Sequence, residues 1–145
     1  MLTKANNFAC KKTKQNPKSA YAAAVPIFIN KALQNEPITI YGDGLQTRDF
    51  VYVKDVVKAN ILASTKGSGT YNVALGQSTS ILELAENIID ITNSKSQIKF
   101  LEERSGDIKH SQANPAKFNK LGFKPAYTIQ NALKETIDFY YNELI

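Results

Sequence analysis

Apolar residues recur along this chain with two different spacings, and stretches of the two kinds alternate. Long stretches carry apolar residues three and four positions apart, as on the buried face of a helix, and short apolar runs typical of strands lie between them. Alternating helices and strands indicate an α/β protein, α+β-like where the strands are short. With 145 residues, the chain is long enough for one domain with its own core.

Residues that begin and end helices bound the predicted elements. Pro26 suits a first helical turn, Ser80 and Glu83 have the spacing of a capping box, and Thr128 is placed to cap the last helix. The predicted helices are Tyr21–Gln34, Asp55–Ser64, a helix from Ile81, Pro115–Leu121 and a helix from Ile129 to the end of the chain. The predicted strands are Ile38–Tyr41, Asp49–Val53, Thr70–Ala74 and Ile98–Leu101.

The apolar residues at helical spacing predict which face of each helix is buried. We expect these stripes to form core and not a ligand surface. They consist of Val56, Val57, Asn60 and Ile61 in the second helix, Ile81, Leu84, Ile88 and Ile91 in the third, and Ile129, Leu133, Ile137, Tyr140 and Leu144 in the last.

The basic charge of the chain does not by itself indicate nucleic-acid binding. The formal net charge is +5, but only two of the eighteen basic residues are arginines, and the lysines are spread along the chain. The sequence contains no helix-turn-helix, zinc-finger or RNA-recognition signature. We therefore expect a lysine-rich solvated surface and no nucleic-acid partner.

Cys10 and His110 are the only cysteine and the only histidine. A single cysteine cannot form a disulfide within the chain, and one histidine without further Cys or His ligands does not make a metal site. We predict no metal, and we expect His110 to be structural or exposed. No apolar run reaches the roughly 18 residues of a membrane span, and the first fourteen residues lack the apolar stretch of a signal peptide. A cytoplasmic protein without a membrane partner is the expectation.

The two arginines are the best candidates for binding an anion. Arg48 and Arg104 each lie close to an aspartate, Asp49 and Asp107 respectively. A guanidinium presents a fixed fork of donors that matches a phosphate, which lysine cannot reproduce. The alternative is two unrelated surface arginines, with Asp49 either bracing Arg48 or capping a turn.

Several motifs occur in the order and spacing of one enzyme family. Residues 40–57 read IYGDGLQTRDFVYVKDVV, which resembles the IYGDGxQTRDFVYVxDVV signature of extended short-chain dehydrogenases. The segments YNV at 71–73, RSGDI at 104–108 and LGFKP at 121–125 resemble the YNVG, RxGD and LGFxP motifs of the same enzymes. This family of NAD-dependent epimerases and dehydratases includes UDP-glucose 4-epimerase, UDP-N-acetylglucosamine 4-epimerase and dTDP-glucose 4,6-dehydratase. The chain resembles their C-terminal, substrate-binding part.

The resemblance implies specific contacts with the diphosphate and ribose of a nucleotide sugar. The arginine that matches Arg48 contacts the diphosphate in such enzymes. The residues that match Arg104 and Asp107 contact the diphosphate and the ribose. Fixed cations suit a diphosphate, and a carboxylate suits a ribose diol.

The resemblance also implies where the nucleotide base lies. The segment that matches Val25 and Pro26 lies near the base in the family, as does the tyrosine that matches Tyr41. An asparagine that matches Asn72 helps to hold the nucleotide in related dehydratases. From the residues alone, Tyr41 could equally be strand core, and Asn72 could equally tie down backbone.

Two motifs of the complete enzymes are absent from this sequence. One is the GxxGxxG turn that binds the pyrophosphate of NAD, and the other is the catalytic Tyr-x-x-x-Lys pair. Tyr127 is followed four positions on by Asn131, not by lysine. We therefore predict that the N-terminal Rossmann half is missing, that no catalytic residue is present, and that the chain alone binds no NAD and is inactive.

The family pattern also sets the expected domain boundaries. Before Asn16, family members read FNVYGPRQ, but this chain reads FACKKTKQ, so family sequence is expected to begin near Gln15. Residues 1–14 are then a divergent, disordered arm, within a loop or frayed arm predicted over residues 1–19, and residues 15–145 form a nucleotide-sugar-binding domain. A gene fragment, a frameshift, a deliberately cut protein and a specialised stand-alone protein would each give this pattern.

Two functional hypotheses follow from these motifs. In the first, the chain is the UDP-sugar-binding part of a 4-epimerase, or of a dTDP-glucose 4,6-dehydratase-like enzyme, and a separate NAD-binding chain could complement it. In the second, it is an assembly module without ligand binding. Strand edges and apolar helix faces left without the large NAD-binding sheet favour association, so a homo-oligomer is expected.

Overall fold

The computed structural model describes residues 7–8 and 24–144. The strands are β1 (Asn7–Phe8), β2 (Ile38–Tyr41), β3 (Thr47–Arg48), β4 (Val51–Tyr52), β5 (Thr79–Ser80), β6 (Ile98–Leu101) and β7 (His110–Ser111). The helices are α1 (Ala24–Leu33), α2 (Val53–Lys66), α3 (Ile81–Thr92), α4 (Ala116–Asn119) and α5 (Ile129–Leu144). Within the described residues, no helix is long and apolar enough to cross a membrane.

The main core lies between α1, α3, α5 and strand β2. Its fully buried members include Ile29, Ile38, Ile40, Leu84, Ile88, Leu133 and Ile137. Each such side chain contributes roughly 1.5–3 kcal/mol to folding by leaving water. The predicted stripes of α3 and α5 supply four of these residues, which confirms the buried centre of both stripes.

The start of α3 is capped as the sequence predicts. The Ser80 hydroxyl accepts a hydrogen bond from the Glu83 N–H at 3.0 Å. Gly44 makes the close approach to this point possible, since a side chain there would bring its Cβ to 3.0 Å from the Leu82 Cβ, and the glycine has φ +76. The turn after β2 is thereby fixed against the N-terminus of α3.

Strands β2 and β6 form a parallel pair, with Ile38 opposite Ile98 and Tyr41 opposite Leu101. Because parallel strands end at the same edge, the loops that follow Tyr41 and Leu101 leave from neighbouring points. This places residues 42–46 beside residues 102–109.

Three very short strands form a separate sheet. β3 pairs antiparallel with β5 and parallel with β7, so that Arg48 lies opposite both Thr79 and Ser111. The sequence predicts none of the three, because two residues are too few to show an alternating pattern.

A second, smaller core joins β4, α2 and α4. It contains Val51, Ala59, Tyr71, Val73, Phe118 and Phe123. The Phe118 ring lies 5.2 Å from the ring centre of Tyr71 and 5.0 Å from that of Phe123. Aromatic packing thus holds the 121–125 motif to α4 and to the segment at Tyr71 that follows α2.

The predicted burial of the second helix is wrong. Val57 and Ile61 are 52% and 62% exposed, whereas Asp55 and Ala59 are completely buried. The Asp55 carboxylate accepts hydrogen bonds from the backbone N–H groups of Ala126 and Tyr127, at 3.0–3.1 Å. Those bonds satisfy a buried charge and turn the Asp55 side of α2 inward.

Three predicted boundaries also differ. The strand predicted over Asp49–Val53 is limited to β4, because α2 begins at Val53. The strand predicted over Thr70–Ala74 is reduced to a single bridge at Tyr71, and the helix predicted to reach Leu121 ends at Asn119.

The N-terminal arm is described only at Asn7–Phe8, which pair in parallel with Val51–Tyr52. These two residues are therefore ordered strand, and not the loop that the sequence predicts, because β4 supplies partners for their backbone. The rest of the arm, and Tyr21–Ala23 of the predicted first helix, lie outside the described residues.

Candidate functional site

The centre of the candidate site is a contact between Tyr41 and Arg104. Tyr41 ends β2, and Arg104 lies in the loop after β6. The guanidinium carbon of Arg104 lies 3.6 Å from the centre of the Tyr41 ring. Such a cation–π contact contributes about 0.5–1 kcal/mol at an exposed site, and it holds the guanidinium over the ring at the strand end.

Arg48 is held by the same loop from the neighbouring strand. Its Nη1 donates hydrogen bonds to the carbonyl oxygens of Thr47 at 2.8 Å and Ile108 at 2.6 Å. Its Nη2 lies 3.8 Å from a carboxylate oxygen of Asp107, and the side chain is only 23% exposed. These contacts fix the fork of donors in one orientation, as binding a phosphate requires.

The loop over residues 102–109 brings these groups together. A turn is closed by a hydrogen bond from the Asp107 N–H to the Arg104 carbonyl at 3.2 Å, and Gly106 has φ +84. This one loop therefore carries Arg104, which contacts Tyr41. It also carries Asp107 and the Ile108 carbonyl, which contact Arg48. Four of the residues that the sequence singles out are thus assembled in one place.

Asp49 has a different role from its neighbour. Its carboxylate is 3% exposed and accepts hydrogen bonds from the backbone N–H groups of Leu75 and Gly76, each at 2.9 Å. Burial raises the pKa of this carboxyl, and the two backbone bonds oppose that shift. Of the two alternatives for Asp49, capping a turn is the one observed.

The other predicted site residues lie elsewhere. The amide nitrogen of Asn72 donates to the Asn114 carbonyl at 3.4 Å, Val25 is buried in the main core, and Pro26 is half-buried in α1. Within the described residues, no hydrogen bond or ring contact joins any of the three to Tyr41 or the two arginines. Their assignment to the nucleotide remains a prediction.

His110 is exposed, and it lies on β7 opposite Thr47. Its Nδ1 is 3.1 Å from the Thr47 hydroxyl. The imidazole therefore helps to join β7 to the strand that carries Arg48.

A polar network that the sequence does not predict joins β4 to α5. Glu135 accepts hydrogen bonds from the hydroxyls of Tyr52 at 2.9 Å and Tyr127 at 3.1 Å, and from the Lys54 ammonium at 2.5 Å. The two tyrosine rings are 4.5 Å apart. No sequence motif marks this cluster, because its members come from three separate segments.

The network shifts the pKa values of its members. The hydrogen bond from Lys54 and then that from Tyr52 hold the pKa of Glu135 below its ordinary value. Burial, followed by the hydrogen bond to Glu135, raises the pKa of Tyr52 to about 12. At neutral pH the carboxylate is therefore charged and the phenol is protonated, as their hydrogen bonds require.

Fold and site together define an α/β protein with an arginine-lined site at the ends of parallel strands, suited to a phosphorylated ligand. The model of the NAD-dependent epimerase/dehydratase family matches residues 4–74. The chain belongs to this family, whose enzymes use NAD. The match begins at residue 4, so similarity to the family extends ahead of Gln15.

Solved structures of nucleotide-sugar enzymes superpose closely on this chain. UDP-glucose 4-epimerase of Thermotoga maritima, solved with UDP-glucose, is 32% identical with a TM-score of 0.90 over 99% of this chain and 46% of its own. UDP-N-acetylglucosamine 4-epimerase of Methanobrevibacter ruminantium, solved with UDP-N-acetylmuramic acid, is 43% identical with a TM-score of 0.86 over 95% of this chain and 44% of its own.

A dehydratase is also among the relatives. The dTDP-glucose 4,6-dehydratase of Xanthomonas campestris is 31% identical in an alignment of 129 positions that covers 80% of this chain and 37% of the relative. This chain therefore spans less than half the length of the relatives it matches.

Proposed function

We propose that this chain is the C-terminal, nucleotide-sugar-binding part of an NAD-dependent 4-epimerase, and that its ligand is a UDP-sugar. The observation that carries the proposal is the assembly of Tyr41, Arg48, Arg104 and Asp107 around one loop. The homologues solved with UDP-glucose and UDP-N-acetylmuramic acid support a UDP-sugar as the ligand class.

Each of the four side chains has a binding role that follows from its chemistry. The two guanidinium groups neutralise the diphosphate, and Arg48 does so from a fixed orientation. Asp107 accepts hydrogen bonds from ribose hydroxyls while it holds Arg48. The Tyr41 ring offers an aromatic surface for the base.

The Gly42–Gly44 turn does not fit the pyrophosphate of NAD. In a dinucleotide fold, the glycine-rich turn leads into a helix whose N-terminus faces the pyrophosphate. Here the Gly42–Gly44 turn leads into β3, and the Gly44 carbonyl at its end accepts a hydrogen bond from the Leu82 N–H of α3. We assign this chain binding and orientation of the sugar nucleotide, and no turnover on its own.

Calorimetric titration of the chain with UDP, UDP-glucose and UDP-N-acetylglucosamine tests this proposal. We expect binding that is lost in the Arg48→Ala, Arg104→Ala double variant. A Lys120→Ala, Lys124→Ala variant removes the same charge from exposed positions and should bind normally. Absence of binding at millimolar ligand, or equal binding by both variants, would refute the proposal.

The same titration separates the epimerase from the dehydratase alternative. Adding dTDP and dTDP-glucose to the series compares the two bases on one protein. A preference for dTDP-glucose would favour the alternative that the chain is part of a dTDP-glucose 4,6-dehydratase-like enzyme. The similarity to the Xanthomonas relative supports that alternative.

A further inference from the structure

We propose that the outer edge of β6 pairs antiparallel with β6 of a second copy of this chain, about a two-fold axis at Phe100. The outer edge is the side of the strand that faces away from β2. The pairing needs no nucleotide, so it is independent of the function proposed above.

The backbone of β6 has hydrogen-bonding groups available on its outer edge. Within the part of the chain that the structure describes, β2 is the one strand that pairs with β6. The Gln97 and Leu101 carbonyls each accept a backbone hydrogen bond from the β2 side, at 2.9 Å. The groups that a strand directs to one side come from alternate residues. The N–H and C=O groups of Ile98, Phe100 and Glu102 therefore point to the outer edge.

The side chains of β6 leave this edge without the usual protection against pairing. Phe100 and Leu101 are 52% and 53% exposed. Edge strands are commonly blunted by proline, by a bulge or by charged residues. β6 follows β2 in unbroken register over four residues, contains no proline, and carries only Lys99 as a charge. A regular, largely apolar edge of this kind is a template for another strand.

The edge is held in place before a partner arrives. Ser96, which precedes β6, is 9% exposed, and its N–H donates to the Ser94 hydroxyl at 3.1 Å. The Ser94 hydroxyl in turn donates to the Ala32 carbonyl of α1 at 2.7 Å. An edge that is already ordered loses little conformational entropy when it pairs.

The charges around β6 favour a second copy in the antiparallel direction. Lys95 and Lys99 lie toward the N-terminal end of the strand, Glu102 follows its C-terminal end, and all three are exposed. None of the three forms an ion pair within residues 7–8 and 24–144. Glu103 already pairs with Lys109 at 3.6 Å and is not needed. Antiparallel pairing brings the basic end of each copy to the acidic end of the other, whereas parallel pairing places like charges together.

Backbone direction and side chains together select the register. With Phe100 on the axis, the outward groups of Ile98 face those of Glu102 in the second copy, and the two Phe100 rings are cross-strand neighbours. An axis at Lys99 would oppose two lysines. An axis at Leu101 would set each Phe100 ring against a Glu102 carboxylate.

The interface is small, so the expected dimer is weak. A stable interface buries about 800 Å² on each partner, more than the edge of a four-residue strand supplies. We expect sedimentation equilibrium to give a dissociation constant of about 10–100 µM. A chain that remains monomeric up to about 1 mM would overturn the proposal.

A charge placed on the axis tests the surface. Phe100→Lys should raise the dimer dissociation constant about tenfold or more, because two lysines would then face each other. Ile61→Lys is the matched control, since Ile61 is 62% exposed on α2, and it should leave the constant within about twofold. An unchanged constant in Phe100→Lys, or equal weakening by the two changes, would refute pairing at β6.

A cysteine scan tests the register. Cys10→Ser removes the native cysteine, and Lys99, Phe100 and Leu101 are then replaced by cysteine one at a time. A residue on the axis faces itself across about 5.5 Å between Cα atoms, which a disulfide can span. Under mild oxidation, Phe100→Cys should form a linked dimer about tenfold or more faster than its two neighbours.

The background rate comes from Ile61→Cys in the same Cys10→Ser protein. If Lys99→Cys or Leu101→Cys links fastest, the axis does not lie at Phe100 and the proposed register is wrong. If all three variants link no faster than Ile61→Cys, the two β6 edges do not pair. Because these measurements contain no UDP-sugar, their failure leaves the proposed nucleotide site unaffected.

Discussion

The guanidinium of Arg104 lies over the ring of Tyr41, with 3.6 Å between the guanidinium carbon and the ring centre. Both residues belong to motifs that resemble nucleotide-binding motifs, yet they are 63 positions apart in the chain. Their contact is created by the parallel pairing of β2 with β6, which ends both strands at one edge.

Replacing Arg48 with lysine should weaken UDP binding although the positive charge is retained. A lysine cannot reach the Thr47 and Ile108 carbonyls and also present a second donor to a phosphate. We expect the dissociation constant from calorimetry to rise about tenfold or more. The conservative change Lys99→Arg, on the exposed surface of β6, is the control. Unchanged affinity in Arg48→Lys would show that Arg48 contributes charge alone.

Removing the Asp49 carboxylate should destabilise the fold. Asp49→Ala leaves the Leu75 and Gly76 N–H groups without acceptors in a buried place, at a cost of about 1–3 kcal/mol for each unsatisfied group. Urea unfolding measures the loss.

Asp43→Ala is the matched control for Asp49→Ala. The Asp43 carboxylate also accepts a backbone hydrogen bond, from Leu45 at 2.9 Å, but it is exposed to water. We expect its removal to cost about 0.5 kcal/mol or less. Similar losses in the two variants would mean that the Asp49 bonds do not hold the 75–76 turn.

The hydrogen bonds around Glu135 should make the free energy of unfolding depend on pH. The folded-state pKa of Glu135 lies below its ordinary value of 4.5, first because of Lys54 and then Tyr52. A lowered pKa contributes stability above pH 4.5 that disappears as the pH falls through the folded value. Wild type should therefore exceed Glu135→Gln in urea midpoint at neutral pH, and the difference should disappear as the pH falls through the folded-state pKa of Glu135. Glu86→Gln, exposed on α3, should show no such trend.

Tyr52 should ionise later than an ordinary tyrosine. Burial and the hydrogen bond to Glu135 raise its pKa from 10.0 to about 12. A raised pKa contributes stability that is fully present below pH 10 and is lost as the pH rises through 12. In an alkaline absorbance titration, Tyr52→Phe should remove one of the last phenols to ionise. If Tyr52→Phe instead removes a phenol that ionises near the ordinary tyrosine pKa of 10.0, the hydrogen bond from Tyr52 to Glu135 is contradicted.

The elements that the sequence predicts well are those whose signals are local. The β2 and β6 strands have the predicted bounds, and α3 begins after Ser80 as its capping pattern requires. The candidate site is also foreseen in part, since the residues brought together at Tyr41 come from recognisable motifs. The Glu135 network and strands β3, β5 and β7 escape prediction, because their partners are distant in sequence and each segment alone carries no pattern.

The α2 helix separates what sequence determines from what tertiary structure decides. The spacing of its apolar residues is a local signal and suffices to predict a helix. The helix has two faces that could be buried, one with Val57 and Ile61 and the other with Asp55 and Ala59. Local sequence favours the more apolar face. The fold buries Asp55 instead, because the backbone N–H groups of Ala126 and Tyr127 satisfy its charge. Sequence thus determined the helices, the longer strands and the candidate ligand-binding residues, whereas long-range hydrogen bonding decided which side of α2 faces inward.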